Sequence, residues 1–452
     1  MVSFELGLTQ EQAATRINLL RRVVSISALV LFAMTWRLWT PQTVFPQVPL
    51  IGLFGFLPTW FEWLLAGVVA IALSVAAVCR TEAPFYWRFS FLAFAGSVGL
   101  FVLIDQHRLQ PWAYQFALIA VVLSLARPQT SLQLLRWLTI SIYFHSALSK
   151  LDYSFVHSNG QQLIAALCES CGLSTSGWGS EFKVGTALLL PVGELTVAVG
   201  LAFRRTRLVA LAVAIWMHTM LLLAVGPLGL NHKPPVLLWN AYFIVQNVFV
   251  FGGNLPNQIY KRVFSMLGKV NLDEEYLEDG KVSNNTRVTR SVSEYVATVF
   301  VVIAATIPLL EPFGYFDHWP SWAVYASKNE RVRVYLYPRG NRPDELSIIY
   351  QTYPPNPADK YWASRYEDFL VNINDWSLET LNVPVYPQDR FYVGMARHLA
   401  YKLPDQVVDV VFEFPANRWT GDRESKLLAG INEIEQHSAT RFILNTRPRM
   451  RK

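Results

Sequence analysis

Mostly apolar windows of 16–20 residues recur along this chain at roughly 23–40, 60–79, 86–104, 111–126, 132–149, 184–203, 207–226, 234–252 and 292–310. Each is near the length a helix needs to cross a bilayer, so the pattern predicts about nine spans, the fourth being short. The stretch 42–58 is also apolar, but Pro46, Pro49 and Pro58 interrupt it and Pro41 precedes it. It cannot continue as a helix and reads as an outer re-entrant or interfacial segment. From 311 the pattern becomes that of a soluble domain. Arg331-Val332-Arg333-Val334-Tyr335-Leu336 and Val407-Val408-Asp409-Val410-Val411-Phe412 alternate as strands, and 391–402 and 423–436 read as helices. The organisation expected is a membrane unit at 1–255, a cytoplasmic connector at 256–291, a last span at 292–310 and a small extracytoplasmic α+β tail at 311–452. No repeat of solenoid period is visible.

Composition agrees. Of 452 residues, 52% are hydrophobic and only 16% charged, which is the balance of a polytopic membrane protein. Charge placement sets an orientation, because cytoplasmic loops collect Lys and Arg. Arg16, Arg21 and Arg22 precede the first span, and Arg80, Arg88, Arg127, Arg136, Arg204, Arg205 and Arg207 flank alternate loops. The connector adds Lys261, Arg262, Lys269, Arg287 and Arg290. The N-terminus is therefore expected inside and the C-terminus outside. The net charge of +6 reflects topology, with no nucleic-acid partner implied. Residues 1–20 are polar and Trp36-Arg37-Leu38-Trp39 follows the first apolar run without a small-residue cleavage site, so that span is expected to stay as an anchor.

Several chemically active side chains fall inside spans or at their outer ends. Lys150 and Asp152 stand where the fifth span leaves the hydrocarbon. An ionisable residue there is costly and marks a candidate site, although Lys150 snorkelling to headgroups and Asp152 capping the next segment would also account for them. Ser146, four residues earlier, shares the face of Lys150, whereas His145 lies on another azimuth and suits packing against a neighbouring helix. Glu194 and His218 each fall about mid-span, where a proton-handling role competes with a structural Glu–His hydrogen bond. A desolvated lysine can act as a general base. Asp105-Gln106-His107-Arg108, Trp112 and Trp239-Asn240 complete the polar features.

Cys79 sits at the inner end of the second span. Cys168-Glu169-Ser170-Cys171 lies in an outer loop with the spacing of a redox dithiol, open to a loop-pinning disulfide or to catalytic exchange. The tail histidines His318, His398 and His437 show no ligand spacing, and no zinc site is expected.

The run Tyr143-Phe144-His145-Ser146-Ala147-Leu148-Ser149-Lys150-Leu151-Asp152, with Tyr153 and Phe155 after it, resembles the core of the HTTM superfamily. That superfamily includes the vitamin K-dependent gamma-carboxylase and its bacterial relatives. The first span followed by Trp39, Pro41, Phe45 and Pro46, and the helix carrying Trp216-Met217-His218, are also similar, and the likeness covers about residues 20–255. The lysine motif with Gly193-Glu194-Leu195 and Arg204-Arg205-Thr206-Arg207 is similar as well to the DoxX/MauE group of redox-associated membrane proteins, over residues 132–250.

The carboxylase resemblance implies that Lys150 deprotonates a reduced, vitamin K-like quinone, with His218 and Glu194 as further catalytic residues. His145, Asp152, Trp112, Asn240 and His107 would line the cofactor site. Trp112 stands where the carboxylases have a histidine, and the tail shows no propeptide-binding region. The DoxX/MauE resemblance implies instead that Cys168 and Cys171 pass disulfide or quinone electrons. A third possibility is a membrane scaffold whose tail binds an extracytoplasmic protein partner. The expected location is the bacterial inner membrane.

Overall fold

The structure, a computed structural model, describes residues 8–80, 83–253, 291–338 and 370–449. Long helices dominate: α1 (Gln10–Met34), α2 (Thr59–Val78), α3 (Pro84–Ile104), α4 (Pro111–Leu125) and α5 (Pro128–Leu148). Two short helices follow, α6 (Tyr153–His157) and α7 (Asn159–Ser170), and then α8 (Ser180–Ala202), α9 (Arg207–Val225), α10 (Pro234–Phe251) and α11 (Val292–Thr306). The tail contributes β1 (Arg331–Pro338), α12 (Ile373–Leu381), α13 (Asp389–Lys402), β2 (Gln406–Glu413), β3 (Ser425–Ala429) and α14 (Gly430–Arg441). The connector expected at 256–291 lies, apart from Ser291, outside the described residues.

Among the described residues, seven helices are long and apolar enough to cross a membrane: α1, α2, α3, α8, α9, α10, and α11 with its 3-10 extension to Phe313. The expected fourth and fifth spans fall outside this set for a physical reason. Helix α4 has 15 residues, eleven of them buried, and α5 carries a polar face, with twelve of 21 residues buried. Helices surrounded by other helices need not be apolar all round.

Local sequence sets the helix boundaries. Helix α1 begins well ahead of its apolar window because Thr9 and Gln12 form a capping box, with reciprocal bonds of 3.0 and 3.1 Å. Proline occupies the first position of α3, α4, α5 and α10, where its missing N–H costs nothing. The helix expected at 423–436 is instead a strand followed by a helix. Gly430 sits between them at φ +72°, a conformation available to glycine and closed to a continuous helix, and Leu428 is buried in the sheet.

The three strands form an antiparallel sheet in the order β1-β2-β3, with Val334 opposite Val410 and Val410 opposite Leu428. Val332, Val334, Val408, Val410, Phe412 and Leu428 are buried, and α13 and α14 pack against β2.

The N-terminal halves of α1, α3 and α5 lie against the C-terminal ends of α2, α4 and α10, and the two ends of the bundle are closed differently. At one end four arginines, of which Arg16, Arg21 and Arg136 are buried, donate to carbonyls at the C-terminal ends of other helices. Arg16 reaches Phe249 O, Arg21 reaches Cys79 O at 2.8 Å, Arg88 reaches Ala126 O and Arg136 reaches Val250 O at 2.9 Å. A guanidinium there satisfies orphan carbonyls and complements the negative end of the helix dipole.

The tail closes the other end. Gln106 donates to Pro49 O and Asn445 O and accepts from Arg390 Nε at 2.7 Å, and Arg390 pairs with Asp317. Tyr325 of the tail meets His232 at 3.0 Å, and its carbonyl accepts from Asn159.

Candidate functional site

On α5 and the turn that follows it, Thr139, Tyr143, Ser146 and Lys150 are spaced by four, three and four residues and so form one stripe. The stripe faces α8, α9 and α10, and each of its members has a polar partner or contact along it. Lys150 Nζ donates to both oxygens of Glu194, at 2.8 and 2.9 Å, and to Ser146 Oγ at 2.6 Å. The lysine side chain is 6% exposed and the glutamate side chain 17%. Lys150 is thus turned inward to a carboxylate of α8 and does not snorkel. Glu194, in turn, has the lysine as its partner, so the Glu–His bond weighed above does not form.

His218 is bonded elsewhere along the stripe. Asn247 Nδ2 donates to the Tyr143 hydroxyl at 2.6 Å, and that hydroxyl lies 2.8 Å from His218 Nε2. His218 Nδ1 is 3.3 Å from Asn240 Oδ1, and Asn240 Nδ2 donates to Val236 O. With the tyrosine accepting from Asn247, one consistent assignment runs Asn247 to Tyr143 to His218 to Asn240, with the imidazole proton on Nδ1. Phe243 stacks on the His218 ring with centroids 5.0 Å apart. One level further along, Trp239 donates to Gln115, Gln115 to Gln246, and Gln246 to Thr139. Lys150, Glu194, His218 and Asn240 are therefore brought to one interior face, and sequence reasoning missed Tyr143, Gln115, Gln246 and Asn247. Their signal was present: polar side chains inside apolar windows, at helical spacing.

The other candidates go to separate places. His145 Nε2 meets Ala305 O on α11 at 2.8 Å, away from the Lys150 stripe. Asp152 caps α6, accepting from Phe155 N at 2.8 Å, while its Oδ2 is buried without a hydrogen-bond partner. Burial raises the Asp152 carboxyl above its usual range, against the pull of its capping bond and of Lys328 and Arg418. The loop between β2 and β3 rests on this corner, with Arg418 donating to Leu148 O and its carbonyl accepting from Tyr153 N.

Trp112 packs edge-on to Phe32 and Trp39 in an aromatic cluster with α1. His107 faces the tail, 3.1 Å from Ser377 Oγ and 3.2 Å from Pro384 O. Burial pushes its imidazole down to about 3, so it is neutral. Neither residue joins the Lys150 group.

Cys168 and Cys171 are free thiols at the C-terminal end of α7. Burial, Cys171 and Glu169 all raise the Cys168 thiol. That is the opposite of the depression a redox-active thiolate shows at a helix N-terminus or beside a cation.

Two further charge clusters lie where the tail meets the bundle. Glu62, fully buried in the first turn of α2, pairs with Arg108 and with Arg449 Nη1 at 2.7 Å, and accepts from Gln47 at 2.8 Å. A carboxylate between Phe61 and Trp63 is a visible sequence signal, whereas nothing local marks Arg449. His318 sits between Glu311 and Glu330, 2.9 Å from each. The two carboxylates outweigh burial and raise the imidazole to about 9, and the Glu330 carboxyl is held at about 2. Both clusters are locked by opposite charges and act as ties between elements.

No protein-family model, curated protein or solved structure matches this chain.

Proposed function

We propose that this is an integral membrane protein that crosses the bilayer nine times and carries a proton-transfer site on the Lys150 stripe, near the outer end of the bundle. The ends of α4 and α5 support nine crossings, since Gln110 and Leu148 meet the tail while Ala126 and Arg136 lie at the arginine-rich end. The arginine-rich end is the cytoplasmic one by charge, which leaves the tail outside.

The observation that carries the functional reading is the bidentate Lys150–Glu194 pair beside the Tyr143–His218–Asn240 chain. An ammonium bonded to both oxygens of a carboxylate is not itself a free base. Glu194 is the group able to accept a proton, and Lys150 is placed to hold the negative charge left on the donor. The residues fit a reduced quinone: a carboxylate, an ammonium and a phenol for a hydroxyl-bearing ring, and Phe243 as an aromatic wall beside His218. When bound, such a cofactor supplies an acidic ring hydroxyl. Glu194 would be the proton acceptor and Lys150 its counter-charge, while His218, with both ring nitrogens bonded to Tyr143 and Asn240, would be held with Phe243 as an oriented wall. Electrostatic stabilisation by a preplaced cation in a dry site is worth far more than in water.

The test is binding of a reduced naphthoquinone by the purified protein in lipid nanodiscs. Lys150→Met and Glu194→Gln are each expected to weaken it at least about tenfold, about 1.4 kcal/mol, with the Cys168→Ser/Cys171→Ser protein unchanged. Equal binding by Lys150→Met and the unaltered protein would refute the reading. Cysteine-dependent binding would transfer it to the dithiol, and no binding by any form would favour a scaffold.

A further inference from the structure

We infer that the C-terminal tail is itself a membrane-contacting element, with Ile443 and Leu444 seated in the outer leaflet beside the 3-10 turn Gly52–Phe56. Ile443 is 103% exposed, and across from it Leu53 and Phe56 are 74% and 88% exposed. These residues belong to segments tied together by directional bonds. Asn445 N donates to Leu50 O at 3.2 Å and Asn445 Nδ2 to Pro49 O at 2.8 Å, while Gln106 holds the Asn445 carbonyl at 2.8 Å. Four residues further, Arg449 is locked to Glu62 in the first turn of α2. Ile443 is therefore fixed at the level where α2 begins.

What covers this patch follows from its continuation. Trp60, Trp63, Leu64 and Ile71 carry the same exposed apolar surface down α2, at helical spacing. On a helix that is long and apolar enough to span, that face belongs to lipid. Tryptophans at the start of the helix are the side chains that settle at the headgroup level. Arg447, three residues from Leu444, is exposed at the edge of the patch, as a cation that pairs with headgroup phosphates would be. Large apolar side chains left fully exposed in a folded domain mark a contact surface. The occupant is the outer lipid interface, which the tail enters as an in-plane wedge. This rests on the membrane reading above and goes beyond it, since it makes the tail a part of the membrane unit.

The test uses site-directed spin labels on the full chain, with Cys79, Cys168 and Cys171 replaced by serine, in phosphatidylethanolamine–phosphatidylglycerol liposomes. Labels are placed singly through Ile443→Cys and Leu53→Cys, with Thr420→Cys on an exposed tail loop as the aqueous reference. Power saturation compares collisions with oxygen, which concentrates in lipid, and with a water-soluble nickel chelate. The expected oxygen-to-nickel ratio at 443 matches that at 53 and exceeds that at 420 by at least about threefold. A ratio at 443 equal to that at 420, with 53 still high, would overturn the inference while leaving the membrane reading intact. Low ratios at both 443 and 53 would overturn both. Spin–spin broadening at 443 would put a second copy of the chain there and also refute it.

Discussion

Replacing Glu62 with glutamine tests the tie between the tail and the bundle most directly. In the unaltered protein one buried carboxylate serves Arg108, Arg449 and Gln47. Glu62→Gln leaves two buried guanidiniums without their counter-charge, and breaking a buried pair in this way costs about 3–5 kcal/mol. Arg449→Met removes one charged donor but leaves the Glu62–Arg108 pair, so its cost is about 1–3 kcal/mol. Once Glu62 is neutral, Arg449 has lost its ion pair and keeps its bonds to Gln47 Oε1 and Leu57 O, so the double variant should fall short of additivity by about 2 kcal/mol. The local readout is hydrogen exchange over 445–449, where Arg449 N donates to Gln47 O at 2.8 Å. A loss of about 2 kcal/mol in docking raises exchange there about thirtyfold. Additivity of the two single variants, with exchange at 445–449 changed less than threefold, would refute the reasoning.

Two further outcomes follow from groups outside the spans. Because the folded value of His318, about 9, lies above its ordinary 6.5, its contribution is whole below about pH 6.5 and is lost as pH rises through 9. Thermal stability should therefore fall between pH 7 and 9.5, and that fall should be largely absent in His318→Gln. Gly421 stands at φ +78°, where an added Cβ would run into the Tyr153 ring. Gly421→Ala should cost about 1–2 kcal/mol from the backbone alone and speed hydrogen exchange at 417–422, and adding Tyr153→Ala should recover only the part due to the clash.

The helices were largely legible because apolar period, prolines at first positions and capping residues all act locally. The windows at 60–79, 86–104, 207–226 and 234–252 differ from α2, α3, α9 and α10 by two residues at most at either end. Where the reading slipped, a single backbone conformation decided, as at Gly430. The site was legible in part. Lys150 and Ser146 share a helix, so their common face could be read from spacing, and His145 fell to the other side as that spacing implied. Which carboxylate Lys150 meets depends on how α8 packs on α5, and no pattern within either helix encodes it. The Glu62–Arg449 tie joins residues 387 positions apart, so only the assembled fold could bring it to view.

The two closures around the Lys150 stripe bear on how any molecule would arrive. The tail and the β2–β3 loop sit over the C-terminal end of α5, through Arg418 on Leu148 and Tyr153, so that end is covered. Glu194 keeps a 17% exposed edge on the inward face of α8, opposite Leu188, Leu189 and Val192, which are open on the outside of the bundle. On the membrane reading, a molecule would reach that edge from the bilayer, a two-dimensional solvent, past the flank of α8. Partitioning into lipid would then act as the first selectivity filter, ahead of any contact with the charged pair, and a ligand's abundance at the site would follow its solubility in acyl chains instead of its concentration in water.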